Sequence, residues 1–321
     1  MVYGATWLPF ASFTAPSSWL LSFEERNDRI LRYYPARPEA PRDSLRRRLW
    51  MARAGVASAL QATTAGYLRI GVDAQLRRDD YAVPQWLDTL GNTVTGAVTP
   101  YLTWRSARFL VSRDFEGFGR QEDVDLSTVV TVRMGLTPKL FGYRDDGVVP
   151  QLVARTGLGW RSGFATLNLS AHGRFTDAIA LDSGAVHLAG TVVFRPIRRH
   201  LAVFHAAHGW QENPMPGGEF DLGVGVGPRG FSDHSFTGTR AFMLSTEYRY
   251  LVSDDFFGLA GIGIAGFADY GGAWYPGERR RTGYALGVGL RFGVTVATDL
   301  APGRLDLTYR NGDGLDRGGW R

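Results

Sequence analysis

The stretch from Gly223 to Val252, GVGVGPRGFSDHSFTGTRAFMLSTEYRYLV, decides how the rest of the sequence is read. A glycine-rich loop carries Arg229, Gly230 and Phe231 and then enters a segment that alternates without a slip. Its even positions Phe242, Leu244, Thr246, Tyr248, Tyr250 and Val252 are mostly apolar, while the odd positions Ala241, Met243, Ser245, Glu247 and Arg249 hold the small and charged residues. Period-two alternation places the two sets on opposite faces of a β-strand. One face therefore meets an apolar medium, and the other carries a Glu and an Arg.

Outward from this segment the same pattern recurs. Leu68, Ile70, Val72, Ala74 and Leu76 oppose Arg69, Asp73, Gln75 and Arg77 within Ala65 to Arg77. Val124 to Leu136, Ala165 to Phe175 and Tyr284 to Val294 repeat it, the last with Gly287, Gly289, Arg291 and Gly293 on the polar side. Weaker segments, including Arg105 to Phe115, fill the gaps, and two aromatic stretches open the chain. About fifteen strands result, and bacterial barrels usually have an even number, so sixteen are expected. Pro35 to Arg48 reads as a polar, proline-broken connection.

No segment offers the ~18–20 consecutive apolar residues of a membrane helix, so a membrane location requires a closed barrel. A soluble β-sandwich also alternates, but its strands average ~5–6 residues, and several segments here are much longer. Tyr and Trp recur near segment ends, as in an interfacial girdle. From Leu152 onward the connections alternate short and long, the rhythm of periplasmic turns and extracellular loops. The expected fold is a single all-β domain over residues 1–321: an antiparallel transmembrane barrel with the long Gln211 to Arg240 loop folded into its lumen.

The 321 residues include 41 Gly and no Cys, which excludes disulfides, thiolate metal sites and Cys nucleophiles. The formal net charge is +5. Its arginine clusters, Arg46 to Arg48, Arg195 with Arg198 and Arg199, and Arg279 to Arg281, are scattered among turn-like segments rather than gathered on one stripe, which argues against nucleic acid as a partner. Solvated loop ends are the plain reading of these clusters. Contact with anionic headgroups or a phosphorylated glycolipid is the sharper one.

The Pro228-Arg229-Gly230-Phe231 loop resembles the Val-Arg-Gly-Phe/Tyr signature of the BamA/TamA-like outer-membrane assembly factors, the bacterial surface antigen family, with Pro228 where Val or Ile is usual. Glu247 in STEYRY fits the Glu of that family's following strand, and Asp269 in Phe267-Ala268-Asp269-Tyr270-Gly271-Gly272-Ala273-Trp274 fits the Asp of the next. The likeness covers about Gly223 to Arg310 and is only architectural upstream. No α/β segment like the family's periplasmic POTRA domains is seen. The resemblance implies an Arg229–Gly230–Phe231 motif inside the lumen with Glu247 and Asp269 as its partners. On parity alone both carboxylates point inward, and a guanidinium offers them bidentate bonds.

The resemblance further implies a protein of the bacterial outer membrane that inserts or translocates protein clients, in contact with the lipid bilayer and lipopolysaccharide. A passive channel or structural barrel is the alternative. An outer-membrane hydrolase is disfavoured: none of the six histidines sits in a nucleophile or metal motif, and His205 and His208, three apart, fall on opposite strand faces. No enzymatic activity, cofactor or metal is expected.

Overall fold

The computed structural model describes residues 1–34, 37–82, 93–113, 115, 121–223, 225–258, 260–294, 303–313 and 318–320. Its strands are β1 Val2–Leu8, β2 Ser17–Tyr34, β3 Arg37–Thr63, β4 Gly66–Ala82, β5 Thr93–Ser106, β6 Phe109–Arg113, β7 Gln121–Asp125, β8 Thr128–Thr137, β9 Gly147–Trp160, β10 Gly163–Thr176, β11 Ser183–Phe194, β12 His200–Glu212, β13 Phe220–Leu222, β14 Phe236–Gly238, β15 Arg240–Phe256, β16 Ala260–Trp274, β17 Thr282–Val294, β18 Gly303–Gly312 and β19 Gly319–Trp320. Fifteen of them form one sheet, in chain order with β6, β7, β13 and β14 left out; β6 pairs with β7 and β13 with β14 in two small sheets of their own. Every pairing in the large sheet is antiparallel. The architecture is all-β and consistent with a barrel.

The described wall has fifteen strands where sixteen are expected from sequence. Two local differences lie behind the count. Arg105 to Phe115 is not a wall strand: Arg105 and Ser106 finish β5, and Phe109–Arg113 leaves the wall to pair with β7. Conversely, Gly319–Trp320, uncounted from sequence, pairs with Tyr309 and Arg310. The Val124 to Leu136 segment breaks at Leu126 and Ser127, where the Ser127 N–H donates to Asp125 Oδ1 at 2.9 Å. Such a local side-chain bond competes with the ladder.

Pro35 to Arg48 also departs from expectation. Residues 35 and 36 lie outside the described set, but Arg37 onward is the start of β3, paired with β2. The ladder tolerates the prolines because the register shifts twice there, between Arg32 and Tyr34, with Tyr33 opposite Pro41. A residue without an N–H fits at such an irregularity and not in a regular ladder.

The register carries one parity around the sheet and turns the usual soluble core inside out. On the outer face Ile264 is 50% exposed and Leu286 49%, whereas on the inner face Asp269 and Arg291 are each 3% exposed. At one end most connections are short, residues 64–65, 161–162 and 195–199, with residues 9–16 longer; at the other they are longer, residues 138–146, 177–182, 213–239 and 275–281. Residues 107–127 interrupt the short-loop rhythm because they carry β6 and β7 into the interior.

Two inserts thus occupy the inner face. The first, residues 213–239, enters from the long-loop end with β13 and β14. It packs Phe231, Phe236 and Leu222 on Ala241 and Ala273 of the wall. The second, residues 107–127, enters from the short-loop end and sets Leu110, Phe115, Val124 and Leu126 against Phe164, Val193, Leu201 and Val203.

Candidate functional site

The first insert exists as a fixed loop because its backbone turns are closed locally. Gly227 N–H donates to the Gly223 carbonyl at 2.9 Å, Ser235 Oγ donates to the Ser232 carbonyl at 2.7 Å, and Pro228 is fully buried. Gly230 has φ +82°, and a Cβ there would lie 3.1 Å from Thr308 Cγ2. Left-handed backbone against a wall strand selects glycine. The turn points Arg229 and Phe231 in different directions, one toward charge and one toward aromatics.

Arg229 meets the wall through a two-pronged bond to Asp269. Its Nε donates to Oδ2 at 2.7 Å and its Nη2 to Oδ1 at 2.8 Å, and the Arg229 backbone N–H adds a third bond to Oδ2 at 3.0 Å. Nη1 donates to Glu247 Oε2 at 2.5 Å, and Nη2 reaches Ser245 Oγ at 3.3 Å. Ser245 in turn donates to Asp269 Oδ1 at 2.7 Å. Below the guanidinium lies the Phe267 ring, 3.6 Å from Cζ to centroid. Fork, charge and ring together define one pose, as planar recognition by arginine does generally.

Register explains why these groups meet. Ser245 stands opposite Asp269, and Glu247 opposite Phe267, so four inward residues of β15 and β16 form one square under the guanidinium. The sequence pattern named Glu247 and Asp269 as inward and left Phe267 and Ser245 without a role. Phe267 breaks the rule that inward residues are polar, and that breach was the available signal.

Glu247 also bonds to the wall beyond Arg229. Arg291 donates to it through Nε at 3.0 Å and Nη2 at 2.6 Å, while Nη1 of Arg291 reaches Asp306 Oδ1 at 2.5 Å. Arg249 Nε donates to Glu247 Oε1 at 2.6 Å, and its Nη1 to the Phe115 carbonyl of the second insert at 2.7 Å. Arg229, Arg249 and Arg291 therefore face Glu247, Asp269 and Asp306 in a cluster of balanced charge. Buried ions survive when paired and hydrogen-bonded in this way. The long sequence separation of Arg291, Asp306 and Phe115 from the loop hid their meeting.

Phe231 is 1% exposed and packs on Phe236, with ring centroids 5.0 Å apart. Gly283 makes room for both: a Cβ there would fall 2.5 Å from Phe231 Cζ and 2.7 Å from Phe236 Cζ. Arg310 Nη1 donates to the Gly230 carbonyl at 2.6 Å. On the far side His234 stacks on Tyr33 of β2, 3.5 Å between centroids. The insert thus reaches from β15–β18 across to β2. Between it and the wall remains a cavity of about 810 Å³ lined by His205, Arg229, Glu247, Asp269 and Asp306 among others.

No family model matches this chain, and no curated protein matches it in sequence. Among solved structures it is similar to CdiB from Escherichia coli, at 9% identity and TM-score 0.42, covering 97% of this chain and 58% of that one. It is also similar to CdiB from Acinetobacter baumannii, at 12% identity and TM-score 0.34, covering 91% of this chain and 57% of that one. The chain therefore spans less than two thirds of the length of either.

Proposed function

We propose that this chain is an outer-membrane barrel related to the BamA/TamA-like factors, acting in insertion or translocation of protein clients through a lumen that is closed at rest. The observation that carries the reading is the Arg229 fork on Asp269 with Glu247 beside it, formed by the Arg-Gly-Phe turn that the resemblance singles out. A latch built of charged bonds to two neighbouring strands releases as a unit when one partner is lost. Outward apolar strands and an inward charged cluster support a bilayer location.

The passive-channel alternative is opposed by the two inserts, which enter the lumen from both ends and pack on its wall. Reconstitution into lipid vesicles separates the two. The expected result is that the chain accelerates assembly of an added unfolded outer-membrane protein and that Arg229→Ala abolishes the acceleration. A large, steady single-channel conductance unchanged by Arg229→Ala, with no effect on client assembly, would sink the proposal and leave a passive barrel.

A further inference from the structure

The outer face of β2, β3 and β4 toward the long-loop end carries a charge pattern that neither the latch nor the bilayer-facing band explains. The outward apolar run ends at Phe23, Trp50 and Leu76, with Phe23 and Trp50 in edge contact at 5.5 Å between centroids. In register, Trp50 stands between Glu25 and Arg78. Two residues further along, on the same face, come Arg48 and Asp80, and two beyond that Arg46 and Arg29. At ~3.3 Å per residue these lie about 7 and 13 Å past Trp50 along the strands. On the outer-membrane reading, a turn from outward apolar to charged residues marks where headgroups succeed acyl chains.

Within this patch four arginines, Arg29, Arg46, Arg48 and Arg78, meet two carboxylates, Glu25 and Asp80, so positive charge is in excess. Both carboxylates serve to hold an arginine in place. Arg48 donates to Glu25 Oε1 through Nε at 2.9 Å and Nη2 at 2.6 Å, and Arg78 Nε lies 3.0 Å from both Asp80 oxygens. Arg29 Nη2 donates to Ser44 Oγ at 3.2 Å. Arg46 is exposed and makes no ion pair among the described residues.

Arg29 and Arg46 are direct cross-strand partners. Like charges directly opposite on one face destabilise a sheet, and an anion between them removes the repulsion. Arg29, Arg46, Arg48 and Asp80 line a groove of about 570 Å³ at this position. Guanidinium groups fixed by neighbours and a repulsive Arg29–Arg46 pair over a groove together suit a multivalent oxyanion.

We propose that this patch binds the phosphate groups of a phosphorylated outer-leaflet glycolipid. The proposal rests on the outer-membrane reading, since only there does such a lipid meet this face, but it does not involve the Arg229 latch. Arginines contact phosphate in two-pronged fashion, and a basic residue near an anionic membrane surface contributes roughly a fivefold gain in binding. The occupant anchors the long β2–β3 ribbon against the outer leaflet.

The test uses the full chain folded in neutral detergent, with fluorescent diphosphoryl lipid A as the probe. Dephosphorylated lipid A, phosphatidylglycerol and inorganic phosphate are the competitors. Expected is saturable binding displaced by unlabelled diphosphoryl lipid A but not by its dephosphorylated form, and weakened about a hundredfold in the triple variant Arg29→Gln, Arg46→Gln, Arg48→Gln. Equal binding by that variant overturns the proposal, as does equal displacement by phosphatidylglycerol, which would mean charge attraction alone, or by inorganic phosphate, which would mean a free-phosphate site. Should the triple variant not fold, Arg46→Gln, at an exposed position, is expected to weaken binding about fivefold, and no change overturns the idea equally. Arg229→Ala is expected to bind the probe as well as the parent does, so failure of the lipid site and failure of the latch are read separately.

Discussion

Arg229 enters the lumen from the long-loop end and is held by Asp269, Glu247, Ser245 and Phe267 of the wall. The hairpin of β6 and β7 enters from the short-loop end and is held chiefly by Leu110, Phe115, Val124 and Leu126 against apolar inner-face residues. The wall beneath each differs to match: charged and small on β15–β17, apolar where β10, β11 and β12 reach the short-loop end. Directional charged bonds fix a single pose and fail together when one partner goes. Apolar packing fills space with little demand on orientation. The first insert therefore has the properties of a latch, and the second those of a plug. Arg249, bonded to Glu247 on one side and to the Phe115 carbonyl on the other, joins them.

The largest effect is expected from cutting the latch. Arg229→Ala leaves Asp269, 3% exposed, without its cation, and removing one partner of a buried pair costs about 3–5 kcal/mol. Limited proteolysis in detergent should then cut within residues 213–239 while residues 107–127 stay protected. Equal new cutting in both would show that the inserts are one cooperative unit, and the contrast drawn above would fall.

The reverse experiment attacks the plug. Leu126 is 2% exposed and packs against the buried cluster of Phe164, Val193 and Leu201. Leu126→Ala should cost about 2–3 kcal/mol, toward the lower end for buried leucines because a hairpin can settle into the space. Urea titration of the folded, gel-shifted form would measure it, with proteolysis now expected in residues 107–127 and not in the first insert.

Whether the two communicate is a smaller question, with an answer through Arg249. A double-mutant cycle of Arg229→Ala with Arg249→Ala should return a coupling of about 1 kcal/mol, since both bond to Glu247. Strict additivity would mean that Arg249 positions the hairpin without sensing the latch.

This division between latch and plug was only half legible in the sequence. Strict alternation displayed the wall, because a strand with one apolar and one polar side must show its period; the Arg-Gly-Phe turn and the inward carboxylates on β15 and β16 displayed the latch. The plug stayed hidden because it lacks such a period. Phe109–Arg113 (FLVSR) and Gln121–Asp125 (QEDVD) are too short and irregular to show one, and nothing in their local pattern distinguishes pairing with the wall from pairing with each other inside it. What sets them apart is the break at Leu126 and Ser127, a matter of two side chains. Arg291 and Asp306 had the right parity, but the chain from Glu247 through Arg291 to Asp306 depends on register across the four strands β15 to β18, which no single segment encodes.

The smallest expected effect is one of pH, and it belongs to the plug alone. Asp125 ends β7; burial pushes its carboxyl up, but hydrogen bonds from Ser127 and the charges of Arg155 and Arg105 outweigh this and hold it below the ordinary carboxylate range. A depressed value in the folded protein means that its contribution is present above the unfolded value, ~3.9, and is lost as pH falls through the folded one. Between pH 5 and 8 the hairpin base should therefore be indifferent to pH. Below about pH 4 it should loosen, modestly, because the carboxylate is partly exposed and screened. Hydrogen exchange of the Ser127 and Leu126 amides against pH would follow it, and Asp125→Asn should flatten the curve. Loosening that begins near pH 6 would assign the titration to a histidine in place of Asp125, and the base of the plug would then have to be explained by a group other than the one that turns β7 into β8.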